Sequence, residues 1–316
     1  MQTILGSTGQ IATELARNLH HFHTSDLRLA SRNPRRVNAT DALMPADLLD
    51  VEQTHAAVAG SDIVYFTAGL PADTELWEAQ FPTMLKNALD ATKATGAKFV
   101  YFDNTYMYPQ DGEPQDENTA FAPVGRKGKV RAQMTNLVLA EIKHGQIPVL
   151  IARAPEFYGP GRTQSFTNSL VIERLLQGQR ALVPVHDDRL RTLIWTPDAS
   201  RALALLGNTP DAYGQTWHLP VDDNRLTYRQ FVTLASQVFD SSQRYTVLPR
   251  WVLNAMGLFS SKIRELRELL PRYATDNIFE TTKFIMRFPD FRVTTYSEGL
   301  KAIREESNAI PGGGTR

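Results

Sequence analysis

A short apolar stretch at 3–5 runs straight into Gly6-Ser7-Thr8-Gly9-Gln10-Ile11-Ala12, and residues 11–19 follow with the apolar spacing of a helix. A strand, a glycine turn and a helix in immediate succession leave few folds open. Glycines let the backbone turn sharply and approach a phosphate closely, while the helix N-terminus offers N–H groups and a positive dipole end to its charge. The small Ala12 lets helix and strand pack against each other. This marks Gly6, Ser7, Thr8, Gly9, Gln10 and Ile11 as a loop for the pyrophosphate of a dinucleotide, against the simpler reading of a structural turn.

The rest of the first half repeats the theme. Compact β-branched or aromatic runs at 27–30, Ile63–Phe66, 99–102 and 149–152 suit strands buried on both faces, and helical patterns at 81–95 and 131–142 lie between them. Such β-α repeats predict an α/β chain with a Rossmann-type doubly wound parallel sheet over 1–154, its ligand crevice at the carboxyl ends of the strands, and a returning strand near 215–220. From Pro155 the texture changes. Proline and glycine cluster at 155–161, and amphipathic stretches follow at 166–177, 197–206, 228–239 and 251–258. Residues 155–310 read as a smaller, mainly helical substrate lobe, and 311–316 as a flexible tail.

Thirty-four basic residues balance 34 acidic ones, so no overall field draws the chain to nucleic acid or to an anionic membrane, and a small-molecule substrate is the expected partner. Without cysteine there is no disulfide, thiolate nucleophile or Cys-ligated metal, and the seven histidines show no ligand spacing, so no metal is expected. No leader-like segment and no long apolar run is visible, which reads as a cytoplasmic protein with no membrane partner. The second strand ends in Ala30-Ser31-Arg32-Asn33, where an NAD site would place a carboxylate for the ribose 2′-OH. A hydroxyl and a guanidinium at Ser31 and Arg32 suit a 2′-phosphate, so NADP is expected rather than NAD, with Arg35 and Arg36 read as solvated loop charges. Asp47 is placed either to accept from the adenine amino group or to cap a helix.

Several segments carry a family resemblance. The glycine loop resembles Gly-x-x-Gly-x-x-Gly with alanine last, and Asp62-Ile63-Val64-Tyr65-Phe66-Thr67-Ala68-Gly69 resembles a fourth strand and its loop. Arg153-Ala154-Pro155-Glu156-Phe157-Tyr158-Gly159-Pro160-Gly161 is similar to Arg-x-x-x-Val-Tyr-Gly-Pro-Gly; Arg191 to Asp198 and Tyr296-Ser297-Glu298-Gly299-Leu300 match later motifs. Together these resemble the extended short-chain dehydrogenase/reductases of the NAD-dependent epimerase/dehydratase family. The resemblance implies a nicotinamide cofactor touched by Thr67, Ala68 and Gly69, a C-terminal substrate lobe, and hydride transfer on substrates that are often sugar nucleotides. It also implies a Ser/Thr, Tyr and Lys triad, the last two spaced Tyr-x-x-x-Lys. Here the chain departs from the pattern: Val124 stands at the tyrosine place and Gly128 four residues later, while a register on Lys129 puts Gly125 there instead.

Three readings follow. Tyr106 or Tyr108 replaces the missing acid, with Lys127 or Lys129 lowering its pKa and Asn104 or Thr105, at the family's hydroxyl place, binding the substrate oxygen. Alternatively, water or substrate supplies the proton. In the third reading the chain is a non-catalytic NADP-binding redox sensor or regulator. By resemblance Arg191 holds a substrate pyrophosphate, with Arg189 and Arg272 completing a clamp, salt bridges being the alternative. Ser165 and Asn168 contact substrate hydroxyls or cap the next helix; Arg153 and Tyr158 brace the lobe junction; His218 is structural. A homodimer is the expected assembly.

Overall fold

The computed structural model describes residues 1–309 apart from 162, 164, 257, 259–263 and 266, so the expected tail at 311–316 lies outside the described residues. Its central element is a sheet built by alternation. In chain order the elements are β1 (Gln2–Leu5), α1 (Gln10–Phe22), β2 (Leu27–Ser31), β3 (Ala42–Pro45), α2 (Val51–Val58), β4 (Ile63–Phe66), α3 (Thr74–Thr95), β5 (Lys98–Asp103), α4 (Gly125–His144) and β6 (Val149–Arg153). The strand Thr216–His218 then pairs with β6, giving seven strands in the order Thr216–His218, β6, β5, β4, β1, β2, β3. Every pairing in this sheet is parallel. The order is that of a doubly wound Rossmann-type sheet, and it reverses between β1 and β4.

The residues account for these elements. All four side chains of β1 and of β4 are buried, as strands covered by helices on both faces require. Helix α1 turns Ala12, Leu15, Ala16 and Leu19 inward, a single stripe at helical spacing. Helix α3 starts where the Asp73 side chain accepts from Leu76 N, and stops at Gly96, whose φ of +69° a side chain would resist. It therefore begins seven residues before the apolar pattern that announces it at 81, because Thr74 to Gln80 is largely polar. The core gathers Phe66, Phe81, Leu85, Phe99 and Tyr101 between sheet and helices. Burial of each such side chain contributes about 1.5–3 kcal/mol.

Among the elements of the central sheet and the helices named above, two escape the sequence reading. Strand β3 is a largely exposed edge that ends on Pro45, and α2 is only eight residues long, started by Asp50 accepting from Gln53 N. The 166–177 stretch forms a π-helical segment, Asn168–Ile172, followed by a short α-helix, Glu173–Leu176.

The chain divides into two compact units. The first comprises 1–108, 123–154 and 199–219; the second comprises 109–122, 155–198 and 220–316. The second unit carries three two-stranded pairings among short helices, with Tyr158, Trp195, Phe231 and Tyr296 in its core.

Candidate cofactor and active site

Gly6 leaves β1 with φ +85°, and a Cβ there would stand 2.4 Å from Cα of Ala68 in the loop after β4. Only glycine meets both demands. The loops of the two strands that flank the reversal of the sheet thus approach backbone to backbone. Thr67 Oγ1 donates to the Leu5 carbonyl at 2.9 Å and pins the same junction. Gly9 is the N-cap of α1, no side chain caps it, and the first turn contains no acidic residue. The positive end of the α1 dipole therefore meets neither a capping side chain nor a first-turn carboxylate of its own helix, which suits an anion. A second feature points the same way: Ser7 is 2% exposed and its Oγ has no hydrogen-bond partner among the described residues, and Ser31 Oγ is in the same condition. Buried hydroxyls without partners are rare in folded proteins unless a ligand or water completes them.

Beside this loop lies an open groove of about 550 Å³ lined by Ser7, Thr8, Thr13, Asn33, Arg17, Arg35 and Arg36, with Val37. The lining carries three guanidiniums and no carboxylate, although Arg17 pairs with Glu14 on its own helix. The arginine loop is anchored by buried Asp41, which accepts from Val37 N at 3.0 Å and Asn38 N at 2.6 Å. Arg32 is exposed and does not line the groove; Arg35 and Arg36, taken from the sequence as solvated charges, do. The signal available in the sequence was their place in the loop directly after β2. Asp47 accepts from Leu49 N at 3.0 Å in a turn, and the cap of α2 is Asp50 instead.

At the exit of β5 the extended backbone stops at Asp103. Asn104 Oδ1 accepts from Tyr106 N at 3.0 Å and Tyr108 N donates to the Thr105 carbonyl at 3.2 Å, so the chain turns and the two tyrosines diverge. Tyr106 is half-buried and stacks on Trp77, ring centroids 6.0 Å apart and nearly parallel. Tyr108 is 1% exposed; Arg153 Nη1 donates to its hydroxyl, which lies 2.7 Å from His218 Nε2. Thr105 is buried. Burial disfavours the Arg153 cation, but Asp103 and Tyr108 outweigh that and hold its pKa above the ordinary arginine value.

The basic run that opens α4 is absorbed largely by α3. Arg126 pairs with Glu78, whose carboxyl it holds below the usual range, and Arg131 lies over the rings of Phe81 and Trp77. Lys127 is fully buried, with Nζ 2.5 Å from Thr74 Oγ1 and over the Trp77 ring. Lys129 is exposed, so of the two lysines only Lys127 shares the Trp77 surroundings of Tyr106. At Gly128 a Cβ would meet the Tyr106 carbonyl oxygen at 2.8 Å, leaving no room for a lysine.

In the second unit the expected substrate contacts serve the fold. Ser165 Oγ donates to the Phe157 carbonyl and accepts from Asn168 N, while Asn168 holds Gly159 through both its amide atoms. The capping alternative describes Ser165, whereas Asn168 neither caps the helix nor stays free for a substrate but ties down Gly159. Buried Arg191 pairs with Glu156 at 3.0 Å, donates to the Arg272 carbonyl at 2.6 Å and covers the Tyr273 ring, so its guanidinium is spent on a salt bridge rather than on an open clamp. Arg189 lies 3.6 Å from Asp188. Among the described residues no group of three or more His, Asp or Glu is arranged to hold a metal ion, and no helix is long and apolar enough to cross a membrane.

A sequence model of the NAD dependent epimerase/dehydratase family matches residues 3–219. The chain belongs to this family. It is similar in fold to UDP-glucuronic acid 4-epimerase from Bacillus cereus in complex with NAD, at 15% identity and a TM-score of 0.77 over 99% of this chain and 98% of that one. UDP-glucose 4-epimerase from Thermus thermophilus, also with NAD, is 14% identical with a TM-score of 0.77, covering 98% and 100%. The DesIV dTDP-glucose 4,6-dehydratase from Streptomyces venezuelae is 14% identical with a TM-score of 0.78, covering 99% and 98%. A comparison with curated proteins gives no match. The family's name points to a nicotinamide dinucleotide, and the Ser7 and Ser31 hydroxyls, without partners among the described residues, fit such a group at the glycine loop.

Proposed function

We propose that this protein transfers hydride between a nicotinamide dinucleotide, NADP in preference to NAD, and a hydroxyl- or carbonyl-bearing metabolite, as an oxidoreductase or epimerase. The observation that carries this reading is the groove at the glycine loop, where Ser7 and three guanidiniums converge without a carboxylate in the lining. A carboxylate there would repel a 2′-phosphate; Arg35 and Arg36 attract one. The sugar nucleotides named for the similar structures support that substrate class.

The bound cofactor would accept or return the hydride. The α1 N-terminus and Ser7 Oγ would hold its pyrophosphate, Arg35 and Arg36 its 2′-phosphate, and Thr67 to Gly69 would border it next to β4. Tyr106, half-buried at the exit of β5, is the phenol that moves a proton to or from the substrate oxygen in this reading, and Tyr108, bonded to Arg153 and His218, braces the same exit. Lys127 and Tyr106 both lie against Trp77, and Asn104 Nδ2 would donate to the substrate oxygen. The second reading, an NADP-binding regulator without turnover, draws on the blocked side-chain position at Gly128. The cytoplasmic location and homodimeric state expected from the sequence belong to this proposal too, and light scattering on the purified protein tests the second.

The deciding experiment incubates the protein with a metabolite extract and NADPH deuterated at its transferable hydrogen. Label recovered in a metabolite supports hydride transfer and names the substrate. Tight NADPH binding with no label transferred supports the regulator.

A further inference from the structure

The chain passes between its two compact units five times, after Tyr108, Ala122, Ala154, Asp198 and Leu219. Four of these crossings enter the next segment on a proline: Pro109, Pro123, Pro155 and Pro220. Proline fixes its own φ and keeps the preceding residue extended, so each of these crossings is locally stiff.

Three of the four are joined inside the first unit by one buried polar chain. Asp103 Oδ2 accepts from Thr135 Oγ1 at 2.9 Å and from Arg153 Nε at 3.1 Å. Arg153 Nη1 donates to the Tyr108 hydroxyl, and because that oxygen accepts from arginine its own proton can point to His218 Nε2, 2.7 Å away. Backbone bonds run alongside: Ala154 N donates to the Asp103 carbonyl at 3.1 Å and Leu219 N to the Arg153 carbonyl at 2.9 Å. Tyr108 is the last residue before the first crossing; Arg153 and His218 are each one residue short of theirs. Asp103, Tyr108, Arg153 and His218 are all no more than 1% exposed.

An ion pair buried this deeply is a poor way to gain stability, since well-packed apolar side chains of the same volume often do as well or better. What apolar packing does not supply is direction. We propose that Asp103, Arg153, Tyr108 and His218 form a clamp that makes the three crossings one cooperative block, opening and closing together and independently of the glycine-loop end of the sheet. Tyr108 is its centre, because a single oxygen serves both Arg153 and His218. It is thereby a positioning residue, and the inference holds whether or not the proposed reaction takes place.

Hydrogen exchange on the full-length protein tests this, following peptides that cover 103–112, 150–158 and 216–222 against one covering 2–12. In the natural protein the first three are expected to share one opening rate. Tyr108→Phe removes the oxygen and should speed exchange about tenfold in all three together while 2–12 is unchanged. His218→Leu should do the same, whereas His218→Gln, which keeps a polar partner for the phenol, should restore protection; this pair carries the test if Tyr108→Phe does not fold. Three unrelated opening rates in the natural protein, a response confined to one peptide, or a uniform rise that includes 2–12 would each overturn the clamp.

Discussion

The Cβ that any side chain at Gly128 requires would stand 2.8 Å from the carbonyl oxygen of Tyr106. The first turns of α4 therefore rest on the backbone of the turn that follows β5, with Pro123 closing the same space at 3.4 Å. In the register that sets Val124 at the family's tyrosine place, the lysine place is thus closed by main chain, which does not yield as a flexible side chain does.

Replacing a helical glycine by alanine ordinarily stabilises by about 1 kcal/mol. Gly128→Ala is expected to do the opposite and lose about 1–3 kcal/mol through overpacking. Urea denaturation of the two proteins measures it; a stabilised variant would show that the turn after β5 moves aside easily.

Glu156 accepts from Thr167, Tyr228 and Tyr273 through one carboxyl oxygen and pairs with Arg191 through the other. Glu156→Ala leaves a buried cation and three hydroxyls without their acceptor. The expected loss is about 3–5 kcal/mol, read from chemical denaturation, because an orphaned buried charge costs more than the pair contributes.

Much of this architecture is visible in the residues themselves, and the exceptions have physical causes. Strands β4, β5 and β6 announce themselves because burial on both faces makes them continuous apolar runs, and the glycine loop is legible because strand, turn and helix signals coincide. Strand β3 is silent because an exposed edge needs no apolar pattern. The candidate site is harder to read. Lys127 looks like one charge among several in a basic run, and its burial depends on Thr74, 53 positions away, which no local pattern announces. Arg35 and Arg36 acquire significance only once Asp41 fixes their loop next to Ser7. The hydroxyl of Ser165 and the amide of Asn168 suit a cap, a substrate or a loop tie equally, and only the positions of Phe157, Asn168 N and Gly159 make the first a cap and the second a tie.

Alkaline pH should unfold the protein early. Burial holds the Tyr65, Tyr158 and Tyr273 hydroxyls well above the ordinary tyrosine value of 10, and does the same to Tyr101 and Tyr228. A pKa raised in the folded state gives stability that is complete below the unfolded value and declines as pH rises beyond it. Denaturation midpoints should therefore fall steadily above about pH 10, with these five of the ten tyrosines ionising only as the chain unfolds. More than five tyrosinates in the still-folded protein would contradict this burial.

Titration calorimetry of the purified protein with NADPH and with NADH bears most directly on the central claim that the groove reads a 2′-phosphate. The natural protein should bind NADPH more tightly, and Arg35→Ala combined with Arg36→Ala should weaken NADPH about 10- to 100-fold while leaving NADH unchanged, as lost charge-assisted hydrogen bonds do. Arg32→Ala should alter neither. Equal affinity for the two cofactors, or a loss that follows Arg32 and not Arg35 and Arg36, would contradict the account.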